Sequence, residues 1–207
     1  MNAYFPQLGA QIPQRGTRLS RRLFKLILRA QGWKFIGNIP NVPKAVAIFA
    51  PHTSNLDGWY GFLAMCAIGL RATVLGKDSL MKPPFGGIFR WLGVLPVHRE
   101  SRMGLTEQVV HYVQQQSHVW IALAPEGTRH HAKSLKTGFY HIAHQAQIPI
   151  LAFTADYANK TIKFLGHMTP TGDYDADLAV LLNWYQGQFS VPHPERLSHP
   201  FCKLQDK

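Results

Sequence analysis

The chain has 207 residues, of which 46% are apolar, and this suits one globular domain with a substantial core. The formal net charge is +11, which favours an anionic partner: a phosphate-bearing substrate, an anionic lipid surface or nucleic acid. The two cysteines, Cys66 and Cys202, are too few for a disulfide framework and have no metal-ligand spacing, so we predict reduced thiols in a cytosolic setting.

No stretch reaches the roughly 18 consecutive apolar residues that a transmembrane helix needs. The N-terminus also lacks the positive start, apolar core and small-residue cleavage site of a signal peptide. We therefore expect a protein that lies on a bilayer, if it meets one, and does not span it.

Residues 1–16 are rich in Pro, Gly and Gln and predict irregular structure, whereas residues 17–31 predict a basic amphipathic helix. Its apolar residues at helical spacing are Leu19, Leu23, Leu26, Ile27 and Ala30. Its cations are Arg18, Arg21, Arg22, Lys25 and Arg29. Such a helix either rests in the headgroup layer of a membrane or packs on the protein's own core with a solvated basic face. The density of cations favours the membrane, since each contributes on the order of 1 kcal/mol near an anionic surface.

Short apolar runs and helical patterns then alternate along the chain. Strands are predicted at 45–49, 72–75, 94–97, 119–123, 149–153 and 161–165, and helices at 57–70, 101–116, 138–147 and 176–189. Pro96 predicts that the third strand lies at an edge of the sheet or ends early, and the proline-containing tail from Val191 predicts an extended segment. The alternation predicts an α/β fold with a mostly parallel sheet and helices on both faces, preceded by the basic amphipathic helix. We divide the chain into an N-terminal segment, 1–40, and a main domain, 41–207.

His52 follows the first predicted strand, and Asp57 begins the next predicted helix. Ligand sites in open α/β sheets gather at the carboxyl ends of strands. A tight turn there can fold the Asp57 carboxylate onto one ring nitrogen of His52, so that the other nitrogen takes a proton from a substrate hydroxyl. The alternative is that Asp57 only caps the helix and His52 is an ordinary turn residue. The chain has no Gly-x-Ser-x-Gly string, which argues against a serine hydrolase.

Residues 125–129, Pro-Glu-Gly-Thr-Arg, follow another predicted strand. Arg129 can hold a phosphate through two parallel hydrogen bonds, and Gly127 permits a tight turn that brings backbone N–H groups to the anion. Thr128 offers a hydroxyl donor, whereas Glu126 would accept a substrate hydroxyl or orient Arg129. The alternative is an ordinary surface loop with a Glu–Arg pair.

Taken together, four blocks in this order resemble the glycerophospholipid acyltransferase family, of which lysophosphatidate acyltransferases are the best-known members. The blocks cover roughly residues 45–155. They are His52-x-Ser54-x-x-Asp57, the stretch from Lys77 to Arg99, residues 125–129, and the apolar segment around Pro149.

The resemblance implies an enzyme that moves a fatty acyl group from an acyl thioester, either acyl-CoA or an acyl carrier protein, to the hydroxyl of a lysophospholipid or glycerophosphate-type acceptor. It implies that His52 is the general base, that Asp57 orients it, and that no further cofactor takes part. The residues that it implies for the acceptor site are Ser54, Lys77, Arg99, Glu126, Gly127, Thr128 and Arg129. We expect the enzyme on the cytoplasmic face of the cell membrane, bound peripherally to an anionic surface.

Departures from the family pattern at Pro51, Ala124 and His130 leave the headgroup of the acceptor open. Two other functions also stay open: a non-catalytic basic module that binds anionic lipid, and a lipid hydrolase that uses the same His–Asp pair on water. The histidines at 130, 131, 141 and 144 could suggest a metal site, but no cysteine or acidic residue is clearly placed with them, and we predict none. Aromatic residues beside cations, as in Trp33-Lys34-Phe35, come without an RNA- or DNA-binding motif, so we expect no nucleic-acid partner.

Overall fold

The structure is a computed structural model that describes residues 5–77, 87, 93–97 and 104–204. Its strands are β1 (Lys34–Ile36), β2 (Lys44–Phe49), β3 (Ala72–Lys77), β4 (Val94–Val97), β5 (Val119–Leu123), β6 (Ile150–Asp156) and β7 (Thr161–Met168). Its helices are α1 (Arg18–Ala30), α2 (Asn55–Ile68), α3 (Leu105–Gln115), α4 (Gly138–Ala146), α5 (Tyr174–Tyr185) and α6 (His199–Cys202). The predicted alternation of strands and helices is confirmed.

Within the described residues the strands form one sheet in the order β1-β7-β6-β2-β5-β3-β4. Every neighbouring pair is parallel except β6 and β7, so the predicted mostly parallel sheet is confirmed. β2 lies in the centre, where Val46 is in register with Ile121 of β5 and Ile150 of β6. β4 lies at the edge, as Pro96 predicted, because a proline has no N–H for a second neighbour.

Alternate residues of the central strands point into two separate cores. Val46 and Ile48 of β2 face a core that α3, α4, α5 and α6 complete. Ala45 and Ala47 face the opposite core, which contains Leu28 of α1 and several apolar residues of α2. Helices therefore cover both faces of the sheet, and the carboxyl edge of the parallel strands is left for a site.

Apart from small shifts at the ends of elements, three segments differ from the prediction: β1, the C-terminal tail and the start of α3. β1 was not predicted, because three residues are too short to display an alternating pattern; it pairs with β7. The tail after Val191 is not extended: it forms a 3-10 turn at Pro194–Arg196 and then α6, which buries Phe201. Prolines are compatible with both elements, because a proline at the start of a helix lacks only an N–H that would have no intrahelical partner.

The helix predicted from Ser101 begins at Leu105 instead, and Ser101 lies outside the described residues. Val109, Val110 and Val113 are buried as predicted, but Leu105 is exposed because it starts the helix, beyond the part that packs on the sheet.

The N-terminal helix begins where Thr17 and Ser20 cap each other: Ser20 N donates to Thr17 Oγ1 at 3.2 Å, and Thr17 N donates to Ser20 Oγ at 2.9 Å. α1 runs antiparallel to α2, since Arg15 just before it contacts Cys66 while Gln31 just after it contacts Tyr60. Across the described ranges, no helix is long and apolar enough to cross a membrane.

Candidate active site

Three neighbouring strands of the sheet, β5, β2 and β6, end at the same edge, and a segment of the candidate site follows each. His52 follows β2, residues 125–129 follow β5, and Tyr157 follows β6. In open α/β sheets this edge is where ligands bind, because the loops that leave it converge. The fold thus brings His52 and Tyr157 to one edge of the sheet, although they lie 105 positions apart in the sequence.

The His52 ring lies against the Asp57 carboxylate, with Nδ1 3.2 Å from Oδ2. The turn that joins them depends on Ser54, which caps α2 by accepting a hydrogen bond from Leu56 N at 3.1 Å. Ser54, and not Asp57, is therefore the N-cap residue. Asp57 lies one turn into the helix and folds back, so that Oδ2 also accepts the backbone N–H groups of Thr53 at 2.7 Å and Ser54 at 2.8 Å.

Asp57 is 1% exposed, and its fourth donor is the Tyr157 hydroxyl, 2.6 Å from Oδ1. Burial by itself would raise the pKa of Asp57, but the hydrogen bonds from His52, Tyr157 and the two backbone N–H groups outweigh it, and the pKa is lowered. The carboxylate is therefore ionised at neutral pH. Sequence reasoning missed Tyr157, because nothing in its neighbourhood indicates that the end of β6 reaches the start of α2.

Glu126 links the two loops at the sheet edge. It is almost completely buried, and its Oε1 accepts the backbone N–H of His52 at 2.7 Å. Its Oε2 has no hydrogen-bond partner among the described residues. Burial raises the pKa of Glu126 to about 7. Glu126 thus holds the His52 backbone, a contact that neither of the roles predicted for it included.

Gly127, Thr128 and Arg129 form a turn beside the pair, in which Gly127 and Arg129 are exposed and Thr128 is half-buried. Gly127 has a φ of 64°, in the left-handed region that favours glycine, and the Lys136 side chain packs beside it. Thr128 Oγ1 accepts the N–H of His130 at 3.2 Å, and Arg129 donates to the Asn55 side chain at the start of α2. The guanidinium of Arg129 is thereby held at Asn55, which lies two residues before Asp57 in the sequence.

A second arginine reaches the same place from the C-terminal tail. Arg196, in the 3-10 turn, donates to the carbonyl oxygen of Thr53 at 3.4 Å. The sequence prediction missed it, because an extended tail would not return to the sheet edge. Lys77 ends β3, but its side chain is not among those described, and Arg99 lies outside the described residues.

An apolar cavity of about 370 Å³ opens beside the pair. Among the described residues, His52 and Asp57 are its polar lining residues, and the rest of the lining comes from α2, from all seven strands and from Leu70 and Ala124. Phe49, Phe62, Met65, Leu70, Leu123 and Phe153 supply much of the apolar wall. A cavity of this size and composition can accommodate a flexible hydrocarbon chain.

In the described part of the chain no three His, Cys, Asp or Glu side chains converge on a point where a metal ion could bind. His144, one of the histidines that suggested a metal, stacks on the Tyr140 ring instead, with 6.1 Å between the ring centroids. Cys66 and Cys202 carry free thiols.

An α/β domain with a His–Asp pair in the lining of an apolar cavity has the features of an enzyme that acts on an acyl chain. The model of the Acyltransferase family matches residues 34–155, more than half of the chain, and the chain belongs to this family. The resemblance seen in the sequence is therefore confirmed.

The fold is similar to that of the crystal structure of the 1-acyl-sn-glycerophosphate (LPA) acyltransferase PlsC from Thermotoga maritima, with a TM-score of 0.55 and 15% sequence identity. The similarity covers 84% of this chain and 80% of that one. At this identity the likeness concerns the fold. No curated protein matches the chain in sequence.

Proposed function

We propose that this acyltransferase moves a fatty acyl group from an acyl thioester to the hydroxyl of a lysophospholipid-type acceptor, with His52 as the general base. The observation that carries the proposal is the apolar cavity of about 370 Å³ that is lined in part by His52 and Asp57. The cavity offers room for an acyl chain beside a candidate base, and two arginines contact Asn55 and Thr53 in the segment that follows that base. The name of the PlsC protein, an acyltransferase for 1-acyl-sn-glycerophosphate, supports an acceptor of the same class.

His52 uses its two ring nitrogens for different purposes. Nδ1 faces Asp57, so the ring proton resides there and Nε2 takes the proton from the acceptor hydroxyl. The hydroxyl oxygen then attacks the thioester carbon and forms a tetrahedral oxyanion. When the oxyanion collapses, the C–S bond breaks, and the departing thiolate takes the proton back from Nε2. Asp57 stabilises the imidazolium that exists between the two transfers.

The acceptor would be held by its phosphate at the mouth of the site. Arg129 contacts Asn55 and Arg196 contacts the Thr53 carbonyl, so both guanidinium groups border the loop that carries His52. Two arginines that approach from separate segments can bind one phosphate through several charge-assisted hydrogen bonds. Under this proposal Gly127 keeps the turn open and Glu126 holds the loop in place.

The surface of α1 supports binding to a membrane. Leu19, Leu23 and Leu26 are 78%, 54% and 64% exposed, and by helical geometry they share an arc of about 60°. By the same geometry the cations of α1 lie along one side of this stripe, while Leu28 on the opposite face of the helix is buried against the core. A helix that packs one face on its own protein and still presents leucines beside a row of cations has the features of an interfacial anchor.

Acyl transfer is tested by following thiol release from long-chain acyl-CoA in the presence of a panel of lysophospholipids, with mass spectrometry of the lipid product. We expect thiol release that depends on the acceptor and is lost in His52→Ala. His118→Ala is the matched control, since His118 is exposed and lies just before β5, at the amino end of that strand. Wild-type activity in His52→Ala would contradict the role of His52.

The same assay distinguishes the alternatives. Free fatty acid without acylated acceptor would indicate a hydrolase. If acyl-CoA is inert with every acceptor, the assay is repeated with acyl carrier protein as donor, and failure with both donors would contradict the proposed function.

Membrane binding is tested by sedimentation with vesicles that contain anionic lipid. We expect Leu23→Ser with Leu26→Ser to weaken binding by about 1–2 kcal/mol for each residue, from the exposed fraction of each side chain. Val180→Ser is the control, because Val180 is an exposed apolar residue on α5, on the other side of the sheet. Equal vesicle binding by all three proteins would contradict the proposal for α1.

A further inference from the structure

Tyr157 holds the side of the Asp57 carboxylate that does not face His52. Oδ2 receives His52 and two backbone N–H groups, whereas the donor recorded at Oδ1 is the Tyr157 hydroxyl at 2.6 Å. This bond is the shortest of the four, and the bond to His52, at 3.2 Å, is the longest. The protein therefore orients Asp57 through groups other than the histidine.

We propose that Tyr157 is a positioning residue for the acyl transfer, which sets the rotation of the Asp57 carboxylate and through it the tautomer of His52. The inference rests on the proposed function, since it assigns Tyr157 to the same pair. A carboxylate that lost this donor would have a buried oxygen without a partner, and the backbone N–H groups at Oδ2 alone would oppose its rotation away from Nδ1. Tyr157 would then act as the third member of a Tyr–Asp–His series.

The surroundings of Tyr157 fix its hydroxyl in this direction. Its backbone N–H donates to Ser190 O at 3.2 Å. Its ring lies edge-on to those of Trp33, at 5.2 Å, and Tyr60, at 5.9 Å. Burial, with the bond to Asp57 as a further cause, raises the pKa of Tyr157, so the hydroxyl keeps its proton and remains a donor.

Tyr157 acts through Asp57 and not on the substrate. It is absent from the described residues that line the cavity, whereas His52 and Asp57 both line it. Removing its hydroxyl should therefore change kcat and leave the KM for the thioester unchanged. Removing the hydroxyl of a residue that only supported the fold would change the stability of the protein and leave kcat unchanged.

The test compares Tyr157→Phe with Tyr60→Phe. Both changes remove one hydroxyl from the same aromatic cluster and keep the ring, but the Tyr60 hydroxyl donates to Gln31 at 3.1 Å and does not contact Asp57. We expect kcat to fall about tenfold in Tyr157→Phe, with KM within twofold, since one buried acceptor loses its donor. Tyr60→Phe should keep the wild-type kcat.

A double-mutant cycle with Asp57→Asn distinguishes positioning from general support. We expect Tyr157→Phe to cost less than twofold in the Asp57→Asn background, because the residue that it positions has already lost its charge. Equal costs in both backgrounds, or a rise in KM with kcat unchanged, would overturn the inference.

A second readout does not depend on turnover. The nitrogen NMR signals of His52 report which ring nitrogen carries the proton, and we expect an Nδ1–H ring in the wild type and a mixture of tautomers in Tyr157→Phe. An unchanged His52 spectrum would overturn the inference even if the wild-type protein transferred no acyl group. Acyl transfer that is lost in His52→Ala but unaffected in Tyr157→Phe would leave the proposed function standing and remove Tyr157 from it.

Discussion

Replacing Asp57 by Asn removes one charge from the centre of the site and keeps the shape of the side chain. In serine proteases this change costs roughly 10⁴ in kcat, because the amide presents its NH₂ group to the histidine and forces the wrong tautomer. The sequence alone leads us to expect the wrong tautomer and a severe loss of activity here as well. The geometry of this site leads to a different expectation.

Two backbone donors decide which way the amide introduced by Asp57→Asn would point. Thr53 N and Ser54 N donate to Oδ2 at 2.7 and 2.8 Å, and an NH₂ group in that position would face both donors. The amide oxygen therefore takes the place of Oδ2, and the NH₂ group faces the Tyr157 hydroxyl, which can rotate to accept it. The Nδ1–H of His52 therefore still faces an acceptor oxygen, and His52 keeps its tautomer.

The expected fall in kcat of Asp57→Asn then comes from the lost attraction between the carboxylate and the imidazolium. With the charges about 4 Å apart and an effective dielectric constant of about 20, Coulomb's law gives about 4 kcal/mol, or roughly a thousandfold in kcat. The assay is acceptor-dependent thiol release, with nitrogen NMR of His52 to read the tautomer. Asp177→Asn is the control, since Asp177 is also buried and hydrogen-bonded but lies in α5, packed on Tyr140.

Two results would refute this reasoning. If Asp57→Asn keeps more than about a tenth of the wild-type kcat, the charge on Asp57 does not stabilise the transition state. If the loss reaches 10⁴ and the proton of His52 moves to Nε2, the backbone donors do not control the amide.

The remaining predictions concern stability. Burial raises the pKa of Glu126 to about 7, above its ordinary 4.5, so the folded state holds this proton more tightly and the protein loses stability as the pH rises from 4.5 to 7. Glu126→Gln removes this dependence on pH. In urea unfolding, the free energy of unfolding of the variant minus that of the wild type should rise by about 3 kcal/mol between pH 4 and pH 8, and a constant difference would contradict the prediction. Burial alone would raise the pKa of Asp156, but hydrogen bonds from Ser190, Asn159 and Lys163 outweigh it and lower the pKa to about 2. Its stabilisation is present above the ordinary 3.8 and is lost as the pH falls to 2, so Asp156→Asn should cost about 2 kcal/mol at pH 7 and close to nothing at pH 2, and an equal cost at both would refute the assignment. Gly127→Ala should cost about 1–2 kcal/mol in thermal unfolding, because its φ is 64° and a Cβ would lie 3.2 Å from Lys136 Cγ; the control Gly138→Ala, in a helix, should not destabilise, and equal melting temperatures for the two would contradict this.

Local patterns were sufficient wherever one segment determines its own structure. The apolar run of β2 and the periodic valines of α3 predicted their elements, because burial on both faces of a strand or on one face of a helix leaves a regular trace in the sequence. The positions of His52 and residues 125–129 after strands also predicted that they share one edge of the sheet. Short elements such as β1 and α6 leave too few residues for such a trace.

The sequence by itself determined the α/β class, the family and the candidate base with its orienter, because these depend on periodicity and on residues a few positions apart. Only the tertiary structure decided that Tyr157 completes the hydrogen bonding of Asp57, that Glu126 holds the backbone of His52, and that Arg196 returns to the site. These contacts join segments separated by 100, 74 and 143 residues. They arise from the order in which the strands pair and from where the tail folds back, and no local pattern records either.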